Sequence, residues 1–385
     1  MPQRKIIIML IVSIFVLNCK HREEHTPPPS KSTVRDGFVL VSIDEIIEGV
    51  SPDYKLAGTS GDWKGVFVET RRVKLDPYAI AKYETTYKLW REVRKWAENN
   101  GYRFANKGLE GGDGKNGGGD FPDYTNIGKE PTENLNLPCT MINWRDSIVW
   151  CNAYTHMLNG NQEKCVYKTL EGKVLQDSTE QVSGKFVCDS AIQDIEKFGF
   201  RLPTEAEWEM AARWQKDDVY AVKHGNIYLS KLDAGSGAKK STGFDGYEFL
   251  QGETIDTLKD NLLIFANFGQ YWKDDNWADV PGERKAIGVG SKKANDLGIF
   301  DMSGNISEWC FDFYDSNTIK DDAFYTKEGI VFNPQGAKQG SLRCTRGGNW
   351  ESPSIRCAVG YRKGLFDVPG KRADTLGFRI CYSVR

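Results

Sequence analysis

No Cys-x-x-Cys pair occurs in the 385 residues, and the four histidines, His21, His25, His156 and His224, stand far apart. That leaves no clustered donor set for a zinc site. Blocks of like charge are missing too: 51 lysines and arginines face 53 acids, for a net charge of −2. Such a balance argues against a nucleic-acid partner, which would need a basic face to meet the phosphates. Long apolar runs are scarce. The one near the start, Ile6 to Leu17, is too short to span a bilayer stably.

That run has a different reading. Arg4 and Lys5 precede it, and it stops at Val16-Leu17-Asn18-Cys19. A charged start, an apolar stretch and a cysteine at the cleavage point read as a lipoprotein signal over residues 1–18, with Cys19 as the acylated first mature residue. An ordinary secretory signal with a chance cysteine is the alternative. Residues 19–36 are polar and contain Pro27-Pro28-Pro29, an extended tether that would lift a folded domain, residues 37–385, off a lipid surface. Several acyl chains would hold the chain at an outer membrane or cell surface with no other membrane contact. Eight cysteines remain after Cys19, an even number in an oxidising compartment.

What is abundant is glycine and aromatic side chain: 39 Gly, 11 Trp and 16 Tyr. A chain so composed is loop-heavy and held by aromatic anchors. Alternation predicts strands over 37–47, 65–73 and 76–84. A helix is expected from about Tyr87 to Asn99, with Leu89, Trp90, Val93 and Trp96 on one face, and another from Asp146 to Leu158, capped by Asn143 or Asp146. Residues 108–119 carry seven glycines and read as a mobile loop, and 164–188 as a hairpin excursion. Thr204 and Glu207 make a capping box for a further helix. From Leu258 onward, loops and short strands are expected.

Five segments then occur in order: GFRLPTEAEWEMAAR, LGIFDMSGNISEW, RGGNW, CAVGYR and LGFR. Together they resemble the sulfatase-modifying-factor domain, the formylglycine-generating-enzyme type of C-type lectin fold, over roughly residues 37–385. The resemblance implies an α+β fold of low regular content, with a few helices packed on small twisted antiparallel sheets and long loops. The residues make sense in those terms. Gly347 and Gly348 permit a close approach or positive φ, and Trp350 is a large anchor. Arg201 and Arg379 are candidates for bidentate pairing with Glu205, Glu207 or Glu209.

In the enzyme branch that this family includes, two cysteines shortly after the Gly-Gly motif carry out copper-assisted oxidation of a substrate cysteine. The matching segment here, Glu351-Ser352-Pro353-Ser354-Ile355, has none. Ser352 falls at or near the first cysteine's place, and Cys357 matches a structural position. No copper is therefore expected, and no catalysis. Calcium is the cofactor that the resemblance implies, held by Asp301, the carbonyls of Gly304 and Ile306, and Glu308, two hard carboxylates with carbonyls between them. The alternative is a capped turn. Asn267 resembles a ligand of a second ion site whose completing acid is displaced. Cys151 and Cys381 resemble a disulfide pair, with Cys381 one position beyond the family's place, and Cys165 and Cys188 could close the hairpin. Cys139, Cys310, Cys344 and Cys357 stay unassigned.

Positions without pattern cluster between about 346 and 379: Glu351 to Ile355; Lys363, Gly364, Leu365, Phe366, Asp367 and Val368; then Gly370, Lys371, Ala373, Asp374 and Thr375. They resemble the variable region of proteins diversified by a retroelement, in which a lectin-type scaffold ends in a mutable binding face. Most of these residue types arise from an asparagine codon with randomised adenines; Glu351, Lys363 and Lys371 do not. The expectation is a surface-displayed monomer that binds a protein or glycan through this face, with Trp350, Tyr361 and Phe366 as candidate aromatic contacts. An ordinary divergent ligand-binding loop, a formylglycine-generating oxidase and an envelope lipoprotein with no ligand are the alternatives.

Overall fold

The computed structural model describes residues 34–113, 126–132, 136–362 and 367–384. Among the described residues, four α-helices and several small sheets build the domain. Helix α1, Tyr87–Glu98, starts at Thr86, whose hydroxyl accepts the Leu89 N–H. Helix α2, Trp144–Asn159, opens with a capping box between Asn143 and Asp146, so Asn143 is the cap. The two pack through stacked indoles of Trp90 and Trp150, 5.9 Å apart and both fully buried. Each such ring contributes roughly 1.5–3 kcal/mol through the apolar surface it removes from water. Helix α3, Glu205–Arg213, has the predicted Thr204–Glu207 box and is buried along its whole length.

Two expectations fail here. Residues 65–71 form no strand, because the Val66 N–H is drawn to the Glu209 carboxylate, 2.9 Å away; only Arg72–Lys74 is extended. Helix α4, Ile255–Phe265, interrupts the stretch read as loops and short strands, with Leu258, Leu262 and Phe265 packed inward.

The chain ends meet in one antiparallel sheet of Phe38–Val41, Tyr78–Ala81 and Cys381–Ser383. A second sheet places the central strand Ser307–Phe313 between Arg343–Arg346, antiparallel, and Leu376–Gly377, parallel. This strand organises everything that follows. Two hydrophobic clusters flank it, one around α1 and α2 with Trp309, the other around α3 with Trp208 and Met302. Among the described residues no helix is long and apolar enough to cross a membrane.

Candidate functional site

The floor of the C-terminal face is ionic and buried. Arg201 pairs with Glu207, one of the three acids that the sequence offered it, through two bonds of 2.6 Å. Glu205 receives both Nε and Nη2 of Arg362 at 2.8 and 2.7 Å, and Glu209 receives Arg213 and Arg346 at 2.7 and 2.8 Å. Burial by itself would raise the Glu205 carboxyl; Arg362 and then Arg346 outweigh it and leave it at about 2. Arg379 does not pair with any of these acids. It grips Glu308, Nη2 to Oε1 at 2.6 Å and Nε to Oε2 at 2.8 Å, while the Trp208 indole donates to Oε2 at 2.8 Å.

Above that floor, Gly347 and Gly348 have φ of +92° and +70°, and a Cβ on Gly348 would lie 2.7 Å from the Arg356 carbonyl. Glycine is required there. Trp350 is buried against Ala286 and Ile306, and its indole donates to the Asp374 carbonyl at 3.4 Å. That bond ties the residue just before the first cluster of unpatterned positions to the last cluster. Ser307 strengthens the link, since it accepts from Asn349 Nδ2 and donates its N–H to the Thr375 carbonyl.

The predicted binding residues then divide. Glu351 is exposed, and Pro353 and Ile355 half-exposed, whereas Ser352 and Ser354 are buried. The Ser352 hydroxyl donates to Asn349 Oδ1 at 3.0 Å, and Ser354 Oγ donates to the Gly243 carbonyl at 3.3 Å. Asp367 is wholly buried and accepts from Thr345 Oγ1 and Lys371 Nζ at 2.6 and 2.7 Å. These three are therefore scaffold rather than display: hydroxyl and carboxylate are used to pin backbone, which small polar residues do well when satisfied. Gly370 is exposed, and Lys371, Ala373, Asp374 and Thr375 are half-exposed. Arg356 and Arg372, which stand next to these positions in the chain, are exposed as well. Lys363, Gly364, Leu365 and Phe366 lie outside the described residues, as does Cys19. Tyr361 is packed on Trp63 with ring centres 4.4 Å apart.

Ser352 meets an amide rather than a base, and an amide takes no proton. Cys357 is fully buried, and burial pushes its thiol up to about 12, far from a reactive thiolate. All eight described cysteines are free thiols. The structure holds neither the Cys151–Cys381 bond that the resemblance implies nor a bond between Cys165 and Cys188, which could close the hairpin. The Cys381 sulfur accepts from Arg201 at 3.0 Å, and the buried Cys151 thiol lies near enough to add to the upward push that burial gives the Cys381 thiol. Cys165 donates to the Asn152 carbonyl and Cys188 to the Asp177 carbonyl.

The candidate calcium loop, Asp301 to Glu308, begins with two residues of opposite fate. Asp301 Oδ2 accepts the Gly290 N–H at 2.7 Å, but its buried Oδ1 has no partner. Burial pushes the Asp301 carboxyl up to about 6. Glu308 is already neutralised by Arg379. Glu84 joins them, accepting from the Ile306 N–H and the Asn305 amide at 3.0 and 2.6 Å, and burial followed by Asp301 and Glu308 holds it well above the usual carboxylate range. Three buried acids act on one arginine, yet among the described residues no group of three or more acids, histidines or cysteines is placed to hold a metal ion. Asp301 fits a cation ligand; Glu308 would have to share its charge with Arg379. Asn267 donates to the Lys285 carbonyl at 2.9 Å.

Small sheets, few helices and long loops pinned by buried ion pairs define a C-type lectin-like domain of the formylglycine-generating-enzyme type. The profile of the sulfatase-modifying factor enzyme 1-like domain matches residues 22–384, and the chain belongs to that family. It is similar to the chaperone protein LppX of Paenibacillus barcinonensis, 25% identical over 81% of this chain and 82% of that protein. It is also similar to the formylglycine-generating enzyme of Thermomonospora curvata, 27% identical, though that match spans only 47% of this chain and 48% of the enzyme. Among solved structures, Treponema denticola variable protein 1 superposes with a TM-score of 0.52 at 23% identity, over 90% of this chain and 99% of that one. At that identity the likeness concerns the fold.

Proposed function

We propose that this protein is a lipid-anchored, surface-displayed binder without catalytic activity, whose ligand is a protein or glycan met outside the cell. The observation that carries the reading is the alternation along 351–355. Ser352 and Ser354 are pinned to Asn349 and Gly243, which fixes the backbone, while Glu351, Pro353 and Ile355 face outward. A rigid loop with outward side chains can change its ligand without changing its fold. The neighbouring exposed positions Arg356, Gly370, Lys371, Arg372, Ala373, Asp374 and Thr375 extend the face. Diversification by a retroelement would change these positions at less cost to the fold than the buried ones, with Glu351 and Lys371 requiring template codons other than asparagine's. Its test needs only DNA: a near-copy of the last coding stretch beside a reverse-transcriptase gene, differing at template adenines that map to outward residues. Absence of such a copy from the genome removes diversification from the reading.

The competing chemistry is oxidation of a substrate cysteine. Purified protein given copper and a cysteine-containing sulfatase peptide should show no turnover; turnover lost in Cys357→Ser would overturn the non-catalytic reading.

Calcium belongs to the same proposal as a structural ion, with Asp301 as its side-chain ligand, helped by the Gly304 and Ile306 carbonyls and Glu308. A bound ion would offset the three-acid charge and stabilise the fold, by about 2.7 kcal/mol at one hundred times its Kd. Chelator should lower the melting temperature of the native protein and leave Asp301→Asn unmoved. An unchanged native melting curve would reduce the loop to a capped turn.

A further inference from the structure

At the far end of the central strand lies a second opening. The strand has seven residues, so its ends are about 20 Å apart. Ser307 sits at the end under the C-terminal face, and Phe311 and Phe313 at the other. There they form the floor of a cleft of about 710 Å³, walled by the 189–193 segment on one side and by Tyr325 and residues 335–340 on the other. A second cavity, of about 420 Å³, shares Leu170, Ile192, Gln193 and Gln335 with it, so the two are continuous. Their volumes fall in the range of small-ligand sites.

Two groups beneath this cleft lack the partners that burial demands. Gln193 is 5% exposed; Tyr167 accepts the Leu202 N–H and therefore donates its own hydroxyl proton to Gln193 Oε1, which fixes the amide. Gln193 Nε2 is left with no hydrogen-bond partner. An unmade buried bond of this kind costs about 1–3 kcal/mol. The second group is Arg343, 1% exposed and lying 3.5 Å from the Phe313 ring centre and 3.6 Å from that of Trp144. Its Nη atoms donate to the Phe311 and Asp189 carbonyls, while its Nε has no partner. Among the described residues no carboxylate pairs with it within 4.0 Å, because the Asp189 side chain is taken by Arg145. A buried cation without a counter-charge is expensive. At the rim, Lys185 and Lys338 add two more positive charges, Lys338 lying 4.5 Å from the Tyr325 ring centre.

We propose that this cleft binds an acidic saccharide of the uronic-acid type. A pyranose ring would lie on the Phe313 and Tyr325 faces, and its carboxylate would meet the field of Arg343, Lys185 and Lys338 while a ring oxygen or hydroxyl accepts from Gln193. Aromatic faces match the C–H side of a sugar, side-chain amides match its hydroxyls, and Lys185 and Lys338, with the cleft's own carboxylate Asp189 held by Arg145, favour an anion there, while the adjoining cavity pairs Lys168 with Asp194 and also carries Glu196. The site is separate from the face proposed above and does not depend on it, so failure of one says nothing of the other.

Calorimetric titration of the full chain with trigalacturonate, with neutral maltotriose as the matched control, tests this. Trigalacturonate should bind and maltotriose should not over the same concentrations. Lys185→Gln with Lys338→Gln should weaken binding about tenfold or more, the scale of a lost charge-assisted bond. Both lysines are at the rim, so melting of the double variant should match the native protein; Gln193→Leu supplies a second variant of the same shape without the donor. Ile355→Ala should leave affinity unchanged. No heat with trigalacturonate, equal binding of maltotriose, or affinity indifferent to both the lysine pair and Gln193 would each overturn the assignment.

Discussion

The floor under the C-terminal face and the loop that lies on it are made from adjoining residues and obey opposite rules. Arg346, Arg362 and Arg379 are buried and locked to Glu209, Glu205 and Glu308. Glu351, Pro353 and Ile355 reach outward a few residues away. In the first region each side chain is held by fixed partners, Glu209 by Arg213 and Arg346 and Glu205 by Arg362 and Arg346. In the second, only the backbone is held, through serines that the outward residues flank. Freedom at a display surface is thus built by spending constraint immediately beneath it.

The comparison breaks most visibly at Arg379. Arg379→Leu leaves Glu308 buried with only the Trp208 donor, and should lower unfolding free energy by about 3–5 kcal/mol. Denaturant titration measures this. A loss below about 1 kcal/mol, the level of an exposed ion pair, would mean that the floor is not the rigid element described.

Protonation sharpens it next. Asp312, in the same interior, is pushed up to about 8 by burial and then by Glu205 and Glu207. A raised folded-state pKa gives stability that is complete below the ordinary carboxylate value and is lost as pH rises toward 8. Glu205, held at about 2, works in the opposite sense, losing its contribution as pH falls from the ordinary glutamate range toward 2. Asp312→Asn mimics the protonated form. Relative to it, the native protein should lose stability between pH 4 and 8 with a slope of up to about 1.4 kcal/mol per pH unit. Parallel profiles for the two proteins would mean that Asp312 is ionised in the fold.

Legibility followed locality. The Thr204–Glu207 box joins residues three apart and is readable from sequence, and local sequence narrows the cap of α2 to Asn143 or Asp146 and the partner of Arg201 to Glu205, Glu207 or Glu209. Arg379 and Glu308 are 71 apart, and their meeting depends on the parallel register that sets Glu308 beside Gly377; no local pattern announces it. The same holds for residues 65–71, whose alternation suits a strand until the Glu209 carboxylate claims the Val66 amide. Helix α4 was missed although Thr254 and Thr257 make its capping box, a signal that could have been read. The family and its fold were legible because five motifs recur in order. The floor of the second cleft was not, since Gln193 and Arg343 are notable only for partners that they lack.

The smallest predicted effect is the most discriminating, because it compares neighbours. Pro353 and Ser354 are adjacent, the first half-exposed, the second fully buried with its hydroxyl on the Gly243 carbonyl. Arginine at 354 must displace packed atoms or bury a charge, and overpacking alone costs about 1–3 kcal/mol. Arginine at 353 projects into solvent, and the change should stay within about 0.5 kcal/mol. The measured quantity is the difference in unfolding free energy between Ser354→Arg and Pro353→Arg. If the two variants unfold alike, the inward and outward alternation is not what holds this loop, and the separation of scaffold from display fails at the residues where it is drawn most finely.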